Sequence, residues 1–147
     1  MRGAGARADV DRAARSWIGT PYHHHGEVKG AGADCAKLLK CVYVEAGIIA
    51  DFDIPYYSPQ FWQHRSEEIF LGVVSRYAHE IPLDQVSVGD LVLYKIGHCY
   101  AHGAIVVAPG LPKIVHAHVA SRSVVEGSFD SVKLGTPIKG MKFYSPW

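Results

Sequence analysis

The 147-residue sequence predicts one compact α+β domain over residues 1–147, with N-terminal helices packed on an antiparallel β-meander of about five strands. Apolar residues before Pro82 recur with the spacing of helix faces, and those after it alternate with the period of strands. A chain of this length with 48% hydrophobic and 20% charged residues can bury one full core and has no room for a second.

Val10, Ala13, Ala14, Trp17 and Ile18 mark a first helix of about two to three turns, stopped by Gly19 and Pro21. A glycine-rich loop follows. Asp34 is placed as the N-cap of a second helix, whose apolar face runs through Cys35, Leu38, Leu39, Val42 and Ala46 and whose stop is Gly47. Aspartates and prolines from Ile48 to Pro59 predict an irregular connection, after which Phe61, Trp62, Ile69, Val73 and Tyr77 fit a third helix or a broken pair. Beyond Pro82, the segments Leu91 to Ile96, Gly103 to Val107, Ile114 to Val119, Ser123 to Phe129 and Ile138 to Tyr144 read as strands.

Composition excludes several functions. Lys plus Arg number 15 against 14 for Asp plus Glu, so neither a broad phosphate-binding surface nor a nucleic-acid partner is expected. Lys40, Glu45 and Lys95 interrupt the best apolar stretches, which leaves no membrane span of ~20 residues. Arg2, Arg7, Asp9, Asp11 and Arg12 are not followed by an apolar stretch of the kind a secretory signal has, so synthesis in the cytoplasm without a signal peptide is expected. Three cysteines at irregular spacing argue against a disulfide framework and for reduced thiols.

Those thiols stand beside nine histidines. Cysteine chemistry needs a thiolate, a base to make it, and donors where an oxyanion forms. Cys35 opens a helix, and its own N–H is an unpaired donor there. A helix start lowers a thiol from about 8.5 by at most about 1.5, so a histidine must come close. The turn Ala108 to Pro112 joins two strands; centred on Pro109, it sets residue n opposite residue 218 − n and puts His102 across from His116. His102 then acts as general base toward Cys35 while His116 fixes its tautomer, with His118, on the same face, as the reserve third member. Gly30 and Gly32 would let a substrate backbone approach closely. Cys41 and Cys99 read as packing residues, and the run His23, His24, His25 as solvated loop. His98, Cys99, His102, His116 and His118 also form an alternative set of zinc-type ligands, but it leaves the Asp34, Cys35 helix start unexplained. The leading reading requires no cofactor and no metal.

The segments Trp17 to Tyr22, Gly32 to Cys35, Gly89 to Val92, His102 to Ile105 and Val115 to Ala117 together resemble the NlpC-type cell-wall cysteine peptidases in order and spacing. The resemblance implies a papain-like fold, with Cys35 as nucleophile, His102 as base, His116 as the orienting third residue, Tyr22 beside the oxyanion and Asp34 near the substrate's amine. It implies endopeptidase cleavage of an amide in the peptidoglycan stem peptide through a thioester. The opening segment and the stretch Ser58 to Trp62 look most like the branch carried by phage tails and gene-transfer particles. That branch implies tail or particle proteins as partners and a place of action at the cell wall within a tail-like particle. Ala36 and Lys37 stand where the commonest pattern has Ser and Gly, which bears on recognition of a free N-terminal L-alanine. Two other readings use the same residues: an acyltransferase or amidase acting on a non-murein substrate, and a structural tail component with a vestigial site.

Overall fold

The computed structural model describes residues 4–54, 57, 69–135 and 137–147. The element order is α1 (Ala4–Ser16), β1 (Glu27–Val28), β2 (Gly32–Ala33), α2 (Cys35–Glu45), α3 (Ile69–Tyr77), β3 (His79–Ile81), β4 (Leu91–Ile96), β5 (Cys99–Val106), β6 (Lys113–His118), β7 (Ser123–Ser128) and β8 (Ile138–Ser145). Phe61 and Trp62 lie outside the described residues, as does the Ser58 to Trp62 stretch. The remaining positions of the expected third helix, Ile69, Val73 and Tyr77, fall on α3.

α1 ends at Ser16, so Trp17 and Ile18 of the expected face lie in the turn beyond it, where Gly19 takes a φ of 93° that side-chain-bearing residues avoid. Trp17 Nε1 then donates to Glu45 Oε1 at 3.1 Å and fastens the end of α1 to the end of α2. α2 begins at Cys35 because Asp34, in extended backbone, accepts the Lys37 amide. Its inner face buries Leu38, Leu39 and Val42, each worth roughly 1.5–3 kcal/mol of apolar transfer. On its outer side Lys40 reaches Glu27 at 3.0 Å and Asp51 at 3.1 Å, pinning the β1–β2 hairpin and the segment after α2 to the helix.

The main sheet has six strands in the order β3-β8-β4-β5-β6-β7, all antiparallel. The meander runs through β4 to β7. β8 then returns to the far side of β4, and short β3 adds itself beyond it. One face packs against the helices through Leu91, Leu93, Ile105 and Val115. The other holds Val92, Tyr94, Val106 and Ile114 beneath Leu111, Phe129 and Val132. Burial on both faces explains why β4 reads as a nearly unbroken apolar run.

The hairpin register departs from the expectation. The pairs are Ile105 with Val115 and Val106 with Ile114, so opposed residues sum to 220 and the turn is centred on Gly110 instead of Pro109. His102 and His116 are therefore diagonal rather than directly opposed. Moving a turn's centre by one residue changes the partner by two, which keeps both histidines on one face. The ladder between β5 and β6 closes only at these two pairs, although β5 begins at Cys99 and β6 continues to His118. The strands part where the histidines stand.

Candidate active site

The parting of β5 and β6 leaves strand polar groups without a ladder partner, and the Cys35 sulfur takes them. Cys35 Sγ donates to the Ala101 carbonyl at 3.5 Å, while the Gly103 amide points to the same sulfur. These two residues bracket His102. The Ala36 amide and the Cys35 amide, both unpaired in the first turn of α2, also face the thiol. Gly103 makes this approach possible. A Cβ on it would lie 2.7 Å from Leu39 Cδ1, 3.0 Å from Phe70 Cζ and 3.2 Å from Leu93 Cδ2. Gly103→Ala should cost about 1–3 kcal/mol in denaturant unfolding. It should also depress activity, because the strand must shift away from α2 and carry its amide off the sulfur.

His102 Nε2 lies 2.8 Å from His116 Nδ1, with the rings edge to face. Diagonal neighbours on adjacent strands stay within reach of long side chains. With Nε2 engaged, Nδ1 is the other ring nitrogen of His102. The ring of Tyr94 on β4 supports it at 5.6 Å, and Tyr94 donates its hydroxyl to Phe129 O at 2.8 Å. His118 does not join this pair through a hydrogen bond. It stacks on His116, its Nδ1 meeting Ser121 Oγ at 2.8 Å and its Nε2 meeting Lys133 O at 2.5 Å.

The electrostatics favour a neutral resting pair. Burial pushes the Cys35 thiol up, the Asp34 charge pushes it further, and the facing amides only partly oppose them. The helix start thus does not lower this thiol below its ordinary value, contrary to the argument from position alone. Burial also drives His102 well below the usual histidine range, with smaller contributions from His116 and His118, and brings His116 down to about 4. The consequence for stability has a definite sign. Above pH 6.5 both states of His116 are neutral and nothing is lost; as pH falls through 6.5 toward 4, the unfolded chain takes up a proton that the folded site resists. The loss should reach on the order of 3 kcal/mol below pH 4. Denaturant midpoints measured from pH 7 to 4 should fall, and His116→Gln should flatten the fall.

Asp34 is 1% exposed and its carboxylate accepts three hydrogen bonds. Oδ1 accepts the Lys37 amide at 2.9 Å, and Oδ2 accepts the His25 amide at 2.7 Å and the Tyr57 hydroxyl. Tyr22 lies within electrostatic range of Cys35 and Asp34, and burial first, then those two charges, raises its hydroxyl, so it stays a donor at any working pH.

The histidine run is not simply solvated. His24 Nε2 and His25 Nε2 both meet the Tyr57 carbonyl, at 3.2 and 2.9 Å, and only His23 faces water. Tyr57, His24 and His25 form the shell around Asp34, a role the sequence did not reveal: loop residues meeting through a backbone carbonyl leave no periodic trace. The glycine loop is the β1–β2 hairpin. A Cβ on Gly32 would meet His23 Cβ at 2.8 Å, so this glycine serves packing inside the loop and not approach of a substrate. Cys41 faces the Glu27 carbonyl on the outer side of α2, and Cys99 is fully buried. Among the described residues no three His, Cys, Asp or Glu side chains gather to hold a metal ion, and no helix is long and apolar enough to cross a membrane. An apolar cavity of about 80 Å³ opens beside Cys35, walled by Leu39, Tyr43, Phe70 and Val74.

This arrangement has counterparts of known structure. The NlpC/p60 domain of the peptidoglycan hydrolase SagA is 23% identical over 94% of this chain and 96% of its own, with a TM-score of 0.61. NlpC2 from Trichomonas vaginalis is 14% identical over 99% of this chain and 50% of its own, with a TM-score of 0.68. RipD from Mycobacterium tuberculosis, described as a non-catalytic NlpC/p60 domain protein adapted to peptidoglycan binding, is 15% identical over 95% of each chain, with a TM-score of 0.55. At these identities the likeness is one of fold. No curated protein matches the chain. The family model described as NlpC/P60 matches residues 19–134, the span that carries the Cys35 helix start and both strands of the histidine pair, and the chain belongs to that family.

Proposed function

We propose that the protein is a cysteine endopeptidase that cleaves an amide bond in the peptidoglycan stem peptide, with Cys35 as nucleophile, His102 as base and His116 as the residue that orients it. The observation that carries this reading is the seat of the sulfur: hydrogen-bonded to the Ala101 carbonyl and faced by the Gly103 amide, it lies against the strand on both sides of a histidine whose far nitrogen is engaged. His116 Nδ1 accepts from His102 Nε2–H, which leaves the His102 Nδ1 lone pair for the thiol. Because thiol and imidazole both rest neutral, proton transfer accompanies attack. The Sγ–H proton passes to His102 Nδ1 as sulfur bonds to the carbonyl carbon. The oxyanion meets the Cys35 amide and the Tyr22 hydroxyl. The C–N bond then breaks, His102 returns its proton to the leaving amine, and water, deprotonated by His102, opens the thioester to a carboxylate and the free thiol.

The test is release of new amino groups from purified peptidoglycan. Cys35→Ala should abolish it with the fold intact, and unchanged release would overturn the thiol mechanism. A second reading, acyl transfer or amide hydrolysis on a non-murein substrate, draws on the apolar cavity beside Cys35. A screen of muropeptides against acyl esters and small amides separates the two. The family's non-catalytic member RipD gives the vestigial reading its footing; wild-type protein inert toward peptidoglycan and toward that screen would favour it. For the setting we assign a phage tail-like particle acting at the cell wall. The opening segment Trp17 to Tyr22 supports this, and mass spectrometry of purified particles tests it.

A further inference from the structure

His118 belongs to none of the roles above, yet it has three defined neighbours. Its Nε2 meets the Lys133 carbonyl at 2.5 Å, its Nδ1 meets Ser121 Oγ at 2.8 Å, and its ring lies 4.9 Å from that of His116 with an interplanar angle of 27°. We propose that His118 is a positioning residue for the histidine pair: clamped at both nitrogens and stacked on His116, it holds that ring in place with its Nδ1 lone pair free to accept from His102. The inference rests on the catalytic reading of Cys35, His102 and His116.

The clamp is built for either charge state of His118. A carbonyl only accepts, so Nε2 carries hydrogen; a serine hydroxyl either donates to a neutral ring or accepts from a charged one. Both ring nitrogens of His118 therefore keep their partners whichever way the serine hydroxyl turns. His116 has no such freedom. A proton on its Nδ1 would point at the His102 Nε2–H, and its other nitrogen faces Gly127, whose Cβ if present would lie at 3.6 Å. Positive charge on His118, stacked beside it, opposes a second one on His116, and the direction of the shifts at His116 and His102 agrees.

The charged groups around His118 do not cancel this effect. Arg122 in the turn to β7 and Lys133 in the connection to β8 are cationic, Ser123 opposite on β7 is uncharged, and Asp130, the carboxylate of that connection, acts on Tyr94. Among the described residues, His118 is the one charge acting on His116. Neutralising one charge about 5 Å away in a partly solvated site should raise the His116 titration midpoint by ~0.5–1 pH unit.

The test uses NMR titration of the imidazoles in a Cys35→Ala background, with and without His118→Gln. The expected result is a His116 midpoint raised by that amount, with the acid limb of kcat/KM in the Cys35-containing protein moving up in parallel. Ser121→Ala, which opens one side of the clamp from a turn, should move the midpoint in the same direction by less, and it decides the matter if His118→Gln fails to fold. A folded variant with an unmoved His116 midpoint overturns the proposal. Absence of wild-type activity on peptidoglycan would overturn the catalytic reading instead, and the titration would still stand on its own.

Discussion

Cys35→Ala should lower kcat on stem-peptide substrates by at least about 10⁴-fold, because without a nucleophile only substrate binding and the oxyanion donors remain to act on a water molecule. Little stability should go with it. The substitution removes one sulfur–carbonyl bond at 3.5 Å from a half-buried residue, and the Ala101 carbonyl and Gly103 amide it vacates sit at an opening where water can replace it. The melting temperature of the variant should stay within a few degrees of the parent. Cys35→Ser should be nearly as inactive. A histidine whose proton affinity burial has lowered is a weak base for an alcohol far above the thiol in pKa. A serine variant retaining a tenth of parental kcat would exclude sulfur chemistry while leaving the geometry in place.

A neutral resting pair follows from how the fold assembles the site. α2 delivers the thiol to the plane of the sheet, between strands that have parted, and that seat is half-buried. The same burial that seats the sulfur against the strand at Ala101 and Gly103 removes the stabilisation a thiolate and an imidazolium would each need. In the proposed reaction, charge would then develop only as the substrate carbonyl receives it, under the amides of the first helical turn. The cost is acid sensitivity of the folded state, located at His116 and His102.

Much of this was legible in the sequence. The helical spacing through Leu38, Leu39 and Val42, with Asp34 before it and Gly47 after it, places Cys35 at the start of α2, where the structure has it. The strand at Leu91–Ile96 has the bounds its pattern implies. The hairpin shows where such reading stops. Ala108 to Pro112 is the turn, but Val107 N bonds to Lys113 O across it and centres it on Gly110, a detail set by backbone hydrogen bonds that no residue pattern announces. His102 still meets His116, because parity of the register survives the shift and the opened ladder lets diagonal side chains meet. The shell around Asp34 was not legible at all. Tyr57 joins it from 23 residues away, beyond the end of α2, and its partners His24 and His25 looked like ordinary loop histidines.

That shell makes Asp34 the most consequential position for folding. Asp34→Ala should destabilise the protein by about 3 kcal/mol. Loss of the helix cap accounts for roughly 0.5–2 kcal/mol. The remainder comes from the two hydrogen bonds that the His25 amide and the Tyr57 hydroxyl make to a carboxylate in a 1%-exposed site, since bonds to a charged group are worth about 1.5–3 kcal/mol each. Asp34→Asn separates this structural role from the electrostatic one. Its single carbonyl can still cap Lys37, while its amide group faces the His25 N–H as a second donor, so roughly half of the loss should persist. Its charge is gone, however, and Asp34 is the second contributor, after burial, to the raised Cys35 thiol. The thiol should therefore titrate at lower pH in Asp34→Asn than in the parent, which the pH dependence of alkylation by iodoacetamide reports directly. An asparagine variant as stable as the parent would show that the cap alone matters, and one with an unmoved thiol would show that the carboxylate's charge does not reach the sulfur.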